Sequence, residues 1–118
     1  MTDTNNFNYN ITSNLTDTID NIWTNRADWV LTIDSNTDSS STYVTATIWD
    51  GQLTIDDTPS SWDSYKIDSN TLEVTKNGNS IAYTGEFEKI DVWDNNFAIE
   101  SDGSFDYTVN FKYHITYR

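Results

Sequence analysis

The chain has no cysteine, one proline, four glycines, one histidine and six lysines and arginines in 118 residues. Each shortage excludes something. Without cysteine there is no disulfide framework, no thiolate metal site and no thiol nucleophile. With a single histidine, His114, and no cysteine, a histidine-ligated zinc site cannot be assembled. Six cations against 19 acids leave a formal net charge of −13. Nucleic acid and anionic lipid both need a basic face, so direct binding to either is not expected. No apolar run approaches the ~20 residues of a membrane-spanning helix. Residues 1–10 lack a basic stretch followed by an apolar one, so no secretory signal is expected and the reading places the chain in a virion or a host cytoplasm.

What is present is equally skewed. Thr, Asn, Asp and Ser make up half the chain, and 17 of the remaining residues are aromatic, five of them Trp. That aromatic content is too high for a disordered acidic chain. The length fits one domain. The excess acid fits high solubility, a basic partner or a bound cation.

Hydrophobic periodicity settles the fold class. From Phe105 to Tyr117 the odd positions are Phe105, Tyr107, Val109, Phe111, Tyr113, Ile115 and Tyr117, with polar residues between them. This is the period-2 alternation of a long strand with one dry face. Shorter alternations cover Trp29–Leu31–Ile33, Val44–Ala46–Ile48, Leu53–Ile55, residues 62–67, Leu72–Val74, Ile81–Tyr83, Ile90–Val92 and Phe97–Ile99. Asp50-Gly51, Ser69-Asn70, Asn77-Gly78, residues 94–96 and Asp102-Gly103 read as turns between them. A change of parity after Phe87 predicts a bulge near Glu88-Lys89. Leu15, Ile19, Ile22 and Trp23 follow i, i+4, i+7, i+8 spacing, which predicts a short helix over about residues 12–26. The expected architecture is all-β and mainly antiparallel: an N-terminal helix, then a meander of about eight strands closing as a barrel or sandwich. Residues 1–10 form a polar arm anchored by Phe7 and Tyr9, and residues 11–118 form the single β domain.

Candidate sites are few. Asp34, Asn36 and Asp38 carry oxygen at positions 1, 3 and 5 of a calcium-type loop, which makes Ca2+ the one cofactor to consider. The pattern then departs, with Ser39 where the loop needs Gly and Thr45 where it needs a bidentate Glu. Asp50, Asp56, Asp57, Asp91, Asp94 and Asp102 fall mostly at turns, where Asp bonds its own backbone, so no catalytic pair of acids is read from them. His114 has no nucleophile motif to serve. The five Trp could supply a stacking platform. Trp49, opposite in parity to Val44, Ala46 and Ile48, is the best candidate for exposure. The long last strand is expected to overhang its neighbours, so Lys112, His114 and Arg118, with Phe7 and Tyr9 on the arm, are the expected partner contacts.

A Trp opening the first strand after a helix, Trp29, and an Arg at the end of the last, Arg118, resemble the lipocalin-like barrels, although Arg26-Ala27-Asp28-Trp29 lacks that family's Gly-x-Trp. The resemblance implies a closed barrel holding a small apolar ligand. The leading expectation is a different one: a non-enzymatic structural or interaction subunit of a larger assembly, such as a phage capsid or tail component, contacting protein neighbours or copies of itself. The alternatives are a lipocalin-like ligand carrier and an acidic inhibitor that mimics nucleic acid.

Overall fold

The structure, a computed structural model, describes residues 2–21, 28–48, 51–86 and 93–116. Over these the chain forms eleven strands: β1 (Thr2–Ile11), β2 (Leu15–Asn21), β3 (Asp28–Ser35), β4 (Val44–Ile48), β5 (Gly51–Ile55), β6 (Ser64–Asp68), β7 (Glu73–Lys76), β8 (Asn79–Ser80), β9 (Thr84–Gly85), β10 (Trp93–Ser101) and β11 (Tyr107–Thr116). They pair antiparallel in two sheets, β1-β11-β3-β6-β7-β8 and β2-β10-β4-β5-β9. The sheets pack face to face as a sandwich, not a closed barrel.

Consecutive strands mostly change sheet instead of pairing; β4–β5, β6–β7 and β7–β8 are the exceptions among the described residues. With the short β7, β8 and β9 set aside, and β10 and β11 counted as seventh and eighth, the sheets read 1-8-3-6 and 2-7-4-5. That order is the pair of interlocked Greek keys of a jelly roll. It corrects the expected meander. Short loops had suggested strands that turn back on themselves, yet residues 12–14, only three of them, carry the chain from one sheet to the other. The barrel implied by the lipocalin-like resemblance does not form.

Two local expectations also change. Residues 15–21 are strand β2 rather than helix; residues 22–26, the rest of the expected helix, lie outside the described residues. An i, i+4 pair such as Leu15 and Ile19 lies on one face of a strand as well as of a helix. The residue between them, Asp17, hides the alternation because it is polar, and it accepts a hydrogen bond from the Tyr9 hydroxyl at 2.7 Å. Three β-branched threonines within residues 12–18 favour extended backbone over helix. The polar arm is likewise a strand. All ten residues of β1 are in register with β11, from Thr2↔Thr116 to Ile11↔Tyr107.

The long final strand lies where its pattern predicted, and it is central. β11 is flanked by β1 and β3, so Lys112 and His114 do not overhang: Lys112 pairs with Asn6 and Val30, His114 with Thr4 and Asp28. Arg118 lies outside the described residues. The dry face, Phe105, Tyr107, Val109, Phe111 and Tyr113, is buried against Trp29, Leu31, Ile33, Tyr65 and Ile67 of its own sheet and Ile19, Ala46, Ile48, Leu53, Ile55, Phe97 and Ile99 of the other. Phe111 is the hub of this core, with Phe97 at 4.9 Å and Trp29 at 5.8 Å between ring centroids.

The hairpin read from Asn77-Gly78 forms as expected. Both residues have positive φ, 52° and 84°, the type I′ turn that matches strand twist. Gly51, expected in a turn, pairs with Ile48 inside the β4–β5 ladder. Residues 94–96, also expected to turn, run straight through β10. Residues 49–50, 87–92 and the predicted bulge at Glu88-Lys89 lie outside the described residues.

Candidate functional site

A jelly roll gathers alternate loops at one end. Here these are residues 12–14, 36–43, 56–63 and 102–106, joined by the 77–78 turn. Their sequences explain their order. Eleven Ser and Thr residues and six Asp residues supply bonding groups that replace a sheet ladder. Ser39 donates to the Pro59 carbonyl from both its N–H (2.9 Å) and its hydroxyl (2.6 Å). The Ser40 N–H bonds the Ser104 carbonyl at 2.9 Å. The Thr42 N–H and hydroxyl each reach Asp102 at 2.6 Å. Beneath them, the Tyr107 hydroxyl sits 3.1 Å from Ser101 Oγ and 3.2 Å from Ser41 Oγ, so the buried oxygens satisfy one another.

The most unusual residue of this end is Trp62. Its side chain is 83% exposed, the most of any large hydrophobic among the described residues. Its backbone has φ = +71°. The hydrogen bonds show why. The Trp62 N–H donates to the Ser35 carbonyl and the Ser35 N–H to the Asp63 carbonyl, each at 2.8 Å, while the Asp63 N–H closes a turn on the Ser60 carbonyl at 3.0 Å. Two residues, Trp62 and Asp63, thus face one, Ser35. This is a G1-type bulge at the entry to β6, and its first position is normally glycine. A tryptophan there costs about 1 kcal/mol or more of backbone strain, with almost no burial to offset it.

The loop that carries the indole is tied by hydrogen bonds and ion pairs. The Ser61 N–H bonds Asp38 Oδ1 (2.8 Å), the Ser60 N–H bonds Asp63 Oδ2 (2.9 Å), and Asn77 Nδ2 bonds Asp63 Oδ1 (3.0 Å). Lys76 Nζ lies 2.8 Å from Asp57 Oδ2, 3.4 Å from Asp63 Oδ2 and 5.9 Å from the Tyr65 ring centroid. The Tyr65 hydroxyl donates to Asp57 at 2.6 Å. Burial pushes the Asp57 carboxyl up, but bonds from Lys76, Tyr65 and Thr58 and the Lys76 charge outweigh it and hold it below the usual range. Asn77 and the Ser60 N–H, helped by Lys76, do the same for Asp63. Burial, then Asp57, pushes the Tyr65 hydroxyl well up.

These shifts carry a pH prediction. A carboxyl with a lowered folded-state value adds stability that is complete above its unfolded value, ~3.9, and lost as pH falls through the folded value. The urea midpoint is therefore expected to hold from pH 7 to 5 and fall below about pH 4. In Lys76→Met, which removes the shared cation, stability at pH 7 drops and the acid fall becomes shallower. An unchanged acid fall in that variant would show that Asp57 and Asp63 are not its source.

The residues expected to bind are placed as follows. Asp34 lies in β3 opposite Thr108 and Ser64. Asn36 spends its amide on Asp106 (3.1 Å) and Thr108 (3.0 Å), and Asp38 accepts from Ser61. Asn36 and Asp38 are tied into different parts of the loop network, while Asp34 stands in the strand before it. Among the described residues no three His, Asp or Glu side chains gather to hold a metal. Phe7 and Tyr9 are half-buried on β1 and pack inward: Phe7 stacks on Tyr113 at 6.1 Å and Tyr9 on Phe97 at 5.6 Å. Lys112 is exposed on the outer face beside Asn6. Along that face runs a ladder of amides and hydroxyls, Asn8–Asn110 at 2.7 Å and Asn10–Thr108 at 3.2 Å. Trp49 lies outside the described residues and Trp29 is core. Sequence reasoning put Trp62 in a strand, and no glycine marked the bulge that turns it outward.

Trp62→Gly isolates the strain. The variant is expected to be more stable by about 1 kcal/mol, with a melting midpoint roughly 4 °C higher, because glycine takes the bulge conformation freely and little burial is lost. A lower midpoint would mean that the indole contributes to folding.

Searches against family models, curated proteins and solved structures return no match.

Proposed function

We propose that this domain is a non-enzymatic interaction subunit of a larger assembly, a phage virion component being the leading case, and that it docks through the loop end bearing Trp62. The observation that carries the reading is a Trp62 that is 83% exposed on a glycine-type backbone position, in a loop whose backbone is tied by carboxylates. Strain of this kind persists where it serves a purpose. Trp is among the residues most enriched at binding hot spots, and with only two side-chain torsions it loses little freedom on docking. The jelly-roll order supports the reading by analogy alone, since the fold recurs in viral capsid and lectin domains. The N-terminal segment is not a free arm that would support it, because β1 pairs with β11 as the edge strand of its own sheet. A carrier of apolar ligands draws less support: Trp29, Tyr65, Tyr107, Phe97 and Phe111 occupy the space between the sheets.

The test is co-sedimentation. The full chain, expressed in its natural background, is expected to travel with particles far larger than itself. Trp62→Ala should lower the incorporated fraction about tenfold or more, a hot-spot effect of 1.4 kcal/mol upward, with the fold intact. A chain that stays in the monomer fraction, or a variant incorporated as well as the parent, argues against the proposal.

A further inference from the structure

Resting on the reading that Trp62 docks a partner, we propose the chemistry of that partner: a basic protein segment whose arginine side chain lies over the Trp62 indole. Residues 12–14, 36–43, 56–63, 77–78 and 102–106 hold six carboxylates, Asp38, Asp56, Asp57, Asp63, Asp102 and Asp106, and not one Lys, Arg or His. The cation at the border, Lys76, is already engaged by Asp57 and Asp63. The one large apolar surface at this end is therefore set in a field of a single sign. An indole is the best aromatic seat for a cation, and the interaction strengthens as the pair is desolvated. Asp63 adjoins Trp62 in sequence, and Asp38 accepts the 2.8 Å bond from the Ser61 N–H, so two carboxylates are held at the residues next to Trp62. Guanidinium fits this arrangement better than ammonium, because its plane stacks on the ring while its edge donates to carboxylate. The same field repels phosphate, so a nucleic-acid base is a poor occupant despite its stacking surface.

The probe is an acetylated, amidated hexa-arginine peptide, titrated into the full chain at about 50 mM salt and read by Trp fluorescence and calorimetry. The chain's net charge alone will attract such a peptide, so the Trp62 dependence is the decisive quantity. Trp62→Ala is expected to weaken binding at least about threefold and Trp62→Phe by less, in line with cation–π energies. Leu72→Ala, which alters another exposed hydrophobic (61%), should leave it unchanged. Hexa-lysine should bind more weakly than hexa-arginine. Equal affinity for parent and Trp62→Ala overturns the proposal. So does Trp62-dependent binding of a neutral oligosaccharide such as maltohexaose without any for hexa-arginine. If particle incorporation depends on Trp62 but hexa-arginine does not compete with it, the docking site stands and the basic partner falls. If incorporation ignores Trp62, both fall.

Discussion

A chain lacking residues 2–11 is expected to lose about 5 kcal/mol of stability, enough to leave a domain of this size unfolded or close to it at 25 °C. The estimate is built from what β1 buries. Ile11 is almost fully enclosed, and its burial contributes about 2 kcal/mol. Phe7 and Tyr9 are half-buried and stack on Tyr113 and Phe97, adding about 1 kcal/mol each beyond the stacking itself. Removing β1 also strips one side of β11 along ten residue pairs and opens the dry core at the Tyr113 end. Urea unfolding followed by circular dichroism measures this. A truncated chain within about 1 kcal/mol of the parent would restore the reading of residues 1–10 as a detachable arm, and with it a docking role for Phe7 and Tyr9.

Phe111→Ala is expected to cost about 4 kcal/mol and to lower the melting midpoint by roughly 15–20 °C. Phe111 is completely buried and touches rings from both sheets, Trp29 on β3 and Phe97 on β10, with Tyr113 at 6.4 Å along its own strand. Its neighbours sit on regular ladders and cannot close in to fill the space, so both the transfer cost and the cavity cost apply. Phe111→Leu keeps most of the volume and should cost less than half as much. If Phe111→Ala cost under 2 kcal/mol, the two sheets would be less tightly joined at this point than the ring distances indicate.

Legibility in the sequence followed the physics of each segment. The last strand was plain because seven alternate positions are apolar, and alternation over that length has no helical reading. β2 was hidden because Asp17 stands on the inward side, where its carboxylate serves Tyr9 on the facing sheet, a partner far from obvious in sequence. Topology could not be read at all. The difference between a meander and a jelly roll lies in which sheet a strand joins, and residues 12–14 are compatible with either. The site was legible in composition but not in position. An acidic, Trp-rich chain pointed to stacking and to basic partners, but Trp62 was assigned to a strand because Tyr65 and Ile67 follow it. The turn that exposes it depends on Ser35 across the sheet, and its glycine position is filled by a residue that gives no turn signal.

The place of β11 also governs when this protein can fold. It separates β1 from β3 in the sheet order, so the first-made strand and the third cannot be joined until the chain from residue 107 onward is available. A ribosome delivering residues at about 5–20 per second leaves β1 and β3 without their common partner for seconds. During that interval β1 has no partner strand in its sheet and β3 has only β6. Folding of this sheet thus waits for β11 and is dominated by contacts between distant parts of the chain, which places it among the slower small domains. The strong negative charge then has a role before the native state exists, keeping waiting chains apart until the last strand arrives.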